Sequence, residues 1–174
     1  FPSVAHAWLF LVLETIRIPR GFLNATKSLY TGNRGFTNFK GLLKWIFDIY
    51  CGVLQGCPLS GTLFVLAIDP LLTLFEHHLH NKGLASIFAC ADDIGAALAG
   101  LSQMKPIYKL FEVFRKASGL TLKPAKCIAI LTACAHTPEN VAIIRNWLAI
   151  NIPEWADFQM AAHGKYLGIY IGPD

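Results

Sequence analysis

The segment SIFACADDIGAALA, residues 86–99, sets two adjacent aspartates between two short apolar runs. Each run has the length of a buried strand, and Asp92-Asp93 falls where a tight turn would join them. Two carboxylates side by side repel each other, and they lose hydration wherever they are partly buried. An exposed turn tolerates such a pair with no function attached. The alternative is that the pair collects a divalent cation, because hard cations take oxygen ligands. The pattern therefore predicts a β-hairpin with Asp92 and Asp93 as candidate metal ligands.

Upstream of this hairpin, Gly83 separates it from a long helix over residues 60–79, where Pro70 predicts a kink. The helix follows GVLQGCPLSGTLF, residues 52–64, in which Gly52, Gly56 and Pro58 break regular structure and Ser60 suits a helix N-cap. Residues 36–50 read as a hairpin turning near Lys40-Gly41, although 42–49 also suit a helix. Residues 3–16 and 22–30 read as helices, the first capped by Ser3 and stopped by Pro19.

Downstream, residues 103–117 place Ile107, Leu110, Phe111 and Phe114 at helical spacing, with Gly119 as the stop. A strand is expected over 126–131. A helix over 137–148 has Thr137 as cap and Pro138 at its first position. A final strand is expected over 165–171. There is no repeat, low-complexity tract or linker, so one layered α+β domain fits.

The 174 residues suit a single core. Apolar residues make up 54% and charged ones 15%, which implies that neighbouring segments normally cover part of the surface. Because the chain starts at Phe1 and not Met, it reads as a fragment of a longer protein. The longest uninterrupted apolar runs, 7–13 and 63–68, are too short to span a bilayer, so no membrane partner is expected. The net charge of +4 tolerates a polyanion without demanding one.

Five cysteines, an odd number with no C-x-x-C pair, read as buried thiols of a reducing compartment, so the nucleus or cytoplasm is expected. Glu76 and His80 share a helical face beside His77 and His78. With no third ligand evident, solvated histidines at a helix end fit better than zinc. Trp8, Trp45, Trp147 and Trp155 show no stacking pattern, and core or interface roles are expected for them.

Four segments in this order resemble the palm of reverse transcriptases, most closely those of non-LTR retrotransposons and group II introns. Residues 52–64 resemble the family's Q-G-x-P-L-S loop and helix. CADD, residues 90–93, resembles the catalytic box, with Cys90 where the family carries Tyr or Phe. SGLTLKPAKC, residues 118–127, resembles the segment whose lysine follows the catalytic hairpin, and KYLGI, residues 165–169, resembles the next strand. Phe1-Pro2-Ser3 matches the end of the family's D-x-x-x-A-F-P-S pattern.

The resemblance implies a palm-like antiparallel sheet packed on helices, truncated at its N-terminus. The whole of 1–174 would be one reverse transcriptase domain fragment, with 18–50 as lower fingers. It implies an RNA-directed DNA polymerase of a retroelement, in which a DNA primer's 3′-OH attacks a dNTP on an RNA template with two Mg²⁺ ions. Asp92 and Asp93 would be catalytic and hold metal, with Asp92 bridging and Asp93 in a lesser role. Lys126 would neutralise the leaving pyrophosphate. Phe1 would be the steric gate, and Gln55, Gly56, Pro58 and Ser60 would border nucleotide and template.

The remaining catalytic aspartate is expected upstream of Phe1, so the chain by itself is expected to be inactive without that residue and the fingers and thumb of the same protein. A non-catalytic, reverse-transcriptase-derived RNA-binding or scaffold domain is the alternative. Cys90 and the apolar composition leave room for it, whereas the carboxylate pair argues against it. A chance match in an unrelated α/β binding module is the third reading.

Overall fold

The first apolar run winds into α1 (His6–Thr15), and α2 (Arg20–Tyr30) follows directly after Pro19. The computed structural model describes residues 3–54 and 56–173. Helix α1 begins at Ala5 without a side-chain cap, so Ser3 does not play the expected part. Backbone bonds substitute for the cap: the Ala5 N–H donates to Ser118 O (2.8 Å) and the His6 N–H to Tyr50 O (3.0 Å).

Next comes the expected hairpin, β1 (Arg34–Phe39) against β2 (Leu42–Asp48), antiparallel. Lys40 and Gly41 turn it with φ of 53° and 81°, the sign pattern of a type I′ turn, and Asn38 Oδ1 accepts the Gly41 N–H. Helix α3 (Ser60–His78) runs through Pro70. Then come β3 (Ala85–Cys90), β4 (Asp93–Leu98), α4 (Met104–Ser118), β5 (Ile128–Ile130) and α5 (Pro138–Asn151). The chain closes with β6 (Gln159–Ala161), β7 (Gly164–Tyr166) and β8 (Ile169–Ile171). Thr137 caps α5 as expected, its Oγ1 accepting the Asn140 N–H at 3.2 Å.

By internal contacts the chain forms two compact units, residues 1–71 with 113–120 and residues 72–112 with 121–174. The first holds α1, α2, the β1–β2 hairpin, the front of α3 and the end of α4. Its core includes Val4, Leu9, Leu13, Tyr30, Leu63, Phe64 and Phe114. The Trp8 indole N–H donates to Ala67 O at 2.9 Å, and its ring meets Phe114 edge-on at 5.6 Å. Gly119 ends α4 with φ +75°, and its N–H bonds Arg115 O. A Cβ there would stand 2.8 Å from Ser3 O, so this stop needs glycine for room as well as for its dihedral.

The second unit holds the β3–β4 hairpin and an aromatic cluster. Phe75 meets Phe111 at 5.3 Å, Tyr108 meets Trp155 at 5.4 Å, and Trp155 stacks on Phe158 at 5.1 Å. Leu148 and Ile152 are buried there too.

The α+β class therefore holds, but the sheet differs from expectation. Among the described residues the strands form four separate two-stranded ladders, and one of them, β5 with β6, is parallel. The expected strand over 165–171 is instead the β7–β8 hairpin, because Leu167 and Gly168 both take left-handed φ (49° and 88°) and turn the chain. By length and composition, Ser60–Lys82 reaches across a bilayer with mean hydropathy 1.2, which the short uninterrupted runs had not suggested. Leu63, Phe64, Ala67, Leu71, Phe75 and Leu79 along it are buried, the pattern of a core helix.

Candidate active site

The pairing of β3 with β4 fixes where each aspartate sits. Cys90 is opposite Asp93, so a two-residue turn of Ala91 and Asp92 closes the hairpin. Ala91 has φ +53° and Asp92 does not share the sign, as in a type II′ turn. Glycine is the usual residue there, so alanine marks mild backbone strain at the tip. Asp92 is therefore in the turn, while Asp93 is already the first residue of β4.

Side chains alternate along a strand, and cross-strand partners share a face. One face carries Ala85, which is buried, with Ile87, Ala89, Ile94 and Leu98 half-buried and Ala96 exposed. The other carries Cys90, Phe88 and Asp93, all exposed. Both carboxylates are exposed, and among the described residues neither has a hydrogen bond or ion pair. They are thus free to bind an oxygen-seeking cation.

The backbone behind them is held from the KYLGI segment. The Tyr166 hydroxyl lies 3.3 Å from Phe88 O and 3.4 Å from Asp93 O, and its proton is shared between these two carbonyls. Its ring lies over Gly95, where a Cβ would be 3.1 Å from Cζ. The sequence alone suggests that Gly95 only loosens β4. Its lack of a side chain instead admits the tyrosine that braces Asp93, and a strand-interior glycine is a signal for such close approach.

Lys126 does not open a strand. It ends a 3₁₀ turn, Pro124–Lys126, because its N–H bonds back to Lys123 O at 2.9 Å, and β5 starts at Ile128. It is exposed, and among the described residues no ion pair joins it to Asp92 or Asp93. Gly56 takes φ +83° with open space around it, and Pro58 is exposed. Ser60 is buried, and its hydroxyl donates back to Leu54 O, tying the loop to α3 in place of the expected cap. Phe1 and Gln55 lie outside the described residues.

A family model described as reverse transcriptase (RNA-dependent DNA polymerase) matches residues 1–171. The chain belongs to this family. Two relatives align with nearly all of this chain. A 149 kDa protein of transposon TX1 from Xenopus laevis is 28% identical over 182 residues, covering 100% of the chain and 13% of the relative. A retrovirus-related Pol polyprotein from the type-2 retrotransposable element R2DM of Drosophila melanogaster is 28% identical over 172 residues, covering 97% and 16%. The chain thus spans under a fifth of either relative.

The donor set at the hairpin fits a hard divalent ion, being two carboxylates that have no partner among the described residues. Among the described residues no third His, Cys, Asp or Glu joins them, and the histidines at the end of α3 form no such group either. His77 and His78 meet each other edge-on at 5.1 Å.

All five cysteines are free thiols. Burial pushes the Cys127 thiol above its ordinary range, and its Sγ donates to Lys123 O at 3.4 Å. The thiolate is the reactive form, so Cys127 should react with iodoacetamide at neutral pH more slowly than exposed Cys51, Cys90 and Cys134. Mass spectrometry of a labelling time course reads the order. The gap should narrow as pH rises, and Cys127 labelling first at neutral pH would contradict its burial.

Proposed function

We propose that this chain is the palm-centred part of an RNA-directed DNA polymerase of a non-LTR retroelement. The observation that carries the reading is the braced hairpin tip, whose two carboxylates have no partner among the described residues, in a chain that matches the reverse transcriptase family over 1–171. The reaction is attack of a primer 3′-OH on the α-phosphate of a dNTP, with pyrophosphate leaving.

Magnesium, when bound, would supply charge to lower the pKa of the attacking hydroxyl and to offset charge on the leaving oxygen. Asp92, in the turn, would be the principal metal ligand, and Asp93, the first residue of β4, the lesser one. Lys126 supports the leaving group, and Phe1 gates the sugar. Gln55, Gly56 and Pro58 border the nucleotide and templating base, with Ser60 holding their loop. A positive φ and open space at Gly56 suit close approach of backbone to a base or sugar.

Two metals need carboxylates from more than one strand. Among the described residues only two gather at the hairpin, so on this reading a further aspartate of the same protein completes the site. RNA template, DNA primer and dNTP are the substrates, and fingers and thumb segments are the intramolecular partners.

The test is primer extension by the full-length protein on an RNA template, with and without Mg²⁺. Extension that needs both template and Mg²⁺ is expected. RNA binding with no extension under any divalent ion would instead favour a scaffold.

A further inference from the structure

Within the first unit, two buried polar side chains of α1 and α2 do no work in the chemistry above. His6 is 7% exposed and Tyr30 1%. Their rings meet edge-on at 5.2 Å. The polar atom of each is spent on the backbone of residues 52–54, which lead into the Gly56 loop. His6 Nε2 lies 2.8 Å from Gly52 O. A carbonyl only accepts, so Nε2 carries the proton and donates. The Leu54 N–H donates to the Tyr30 hydroxyl at 3.2 Å. From the far side the Ser60 hydroxyl donates to Leu54 O.

Backbone bonds complete the hold. The Gly52 N–H donates to Val4 O at 2.7 Å, and the turn at Gly52 takes φ +90°. An open pocket of about 230 Å³ borders this stretch, lined by His6, Tyr30, Gly52 and Leu54 among others. Val53 is buried and packs the middle of the stretch, while on the pocket side the directional bonds hold its backbone. Removing one loosens the segment without removing any side chain of the loop itself.

We propose that His6 and Tyr30 are positioning residues that hold the Gly56 loop in its nucleotide-receiving form, and so set the affinity for dNTP. The proposal rests on the polymerase reading. A loop that is competent only part of the time lowers apparent affinity by the fraction of time it is competent. The chemical step, at the aspartate hairpin, is left alone once nucleotide is bound. The signature is a change in KM with little change in kcat.

The test uses the full-length protein with His6→Phe, His6→Gln and Tyr30→Phe. Single-nucleotide incorporation should show the dNTP KM raised roughly fivefold in His6→Phe and Tyr30→Phe, the factor that one lost neutral hydrogen bond brings to an equilibrium. The kcat should stay within about twofold. His6→Gln keeps an N–H donor near the position of Nε2 and should restore the KM. Hydrogen exchange provides a readout that does not need activity: in Tyr30→Phe the Leu54 amide should exchange faster than in wild type.

Unchanged KM in both ring-preserving variants would overturn the proposal. So would a fall in kcat tracking a lowered Tm, the mark of a merely structural role. A wild type that extends no primer would sink the polymerase reading and the nucleotide consequence together. Unchanged Leu54 exchange beside an active wild type would sink the clamp alone.

Discussion

Asp92→Ala in the full-length protein is expected to abolish primer extension while leaving the melting temperature where it was. The carboxylate lies in the exposed turn of β3–β4 and has no partner among the described residues, so its loss removes no internal bond. Stability should move by less than about 0.5 kcal/mol, and relief of repulsion from Asp93 favours an increase. Activity is another matter. Charge stabilisation by a bound metal contributes several kcal/mol to the transition state, and each ~1.4 kcal/mol is tenfold in rate, so a fall of roughly a thousandfold or more follows.

Asp93→Glu keeps a carboxylate on the face shared with Cys90 and Phe88, and it should retain measurable extension. Single-turnover incorporation with a melting curve for each variant separates the two roles. Equal residual activity in Asp92→Ala and Asp93→Glu would remove the ordering proposed for the pair. Loss of activity in step with loss of fold would remove the assignment of Asp92 to the chemistry.

The aspartate hairpin was legible because its signal is local. Two apolar runs of strand length flank a charged pair, and a two-residue turn follows from their register. The Lys40-Gly41 turn and the Thr137 cap were legible for the same reason, since one or two residues set the backbone there. What escaped depends on contacts distant in sequence. Strand β6 has three residues, and it exists because Ile128–Ile130 lies alongside it, a pairing that no local pattern announces. Lys126 is drawn out of the strand by a bond to Lys123 O. In KYLGIYI the Gly168 signal was present, but the uninterrupted alternation around it masked the turn.

The roles of Gly95 and Tyr166 were hidden in the same way. A glycine inside a strand signals a close approach without saying what approaches, and the meaning lies in its meeting with Tyr166 across about seventy positions of chain, with Tyr166 Oη at Phe88 O and Asp93 O. His6 and Tyr30 were missed likewise. Nothing in the sequence near them indicates that their polar atoms serve the backbone of residues 52–54.

Gly95→Val tests that meeting directly. A Cβ at residue 95 would already stand 3.1 Å from Tyr166 Cζ, and the two γ-carbons of valine reach further into the ring. The ring must leave, and its hydroxyl then loses both carbonyls on the hairpin. Overpacking of this kind costs about 1–3 kcal/mol, and the lost hydrogen bonding adds about 1 kcal/mol. Against this, valine suits a strand better than glycine by up to about 1 kcal/mol, so the net cost is roughly 2 kcal/mol. For a protein of this size that is a fall in Tm of roughly 5 °C. Extension should fall as well, because the Asp93 carbonyl loses its brace while both carboxylates remain. The deciding comparison is the double-mutant cycle with Tyr166→Ala, which empties the space over residue 95. In that background Gly95→Val should become neutral or stabilising, since only the strand preference remains. The same loss in both backgrounds would mean that glycine is needed for backbone reasons and that Tyr166 does not support the catalytic hairpin.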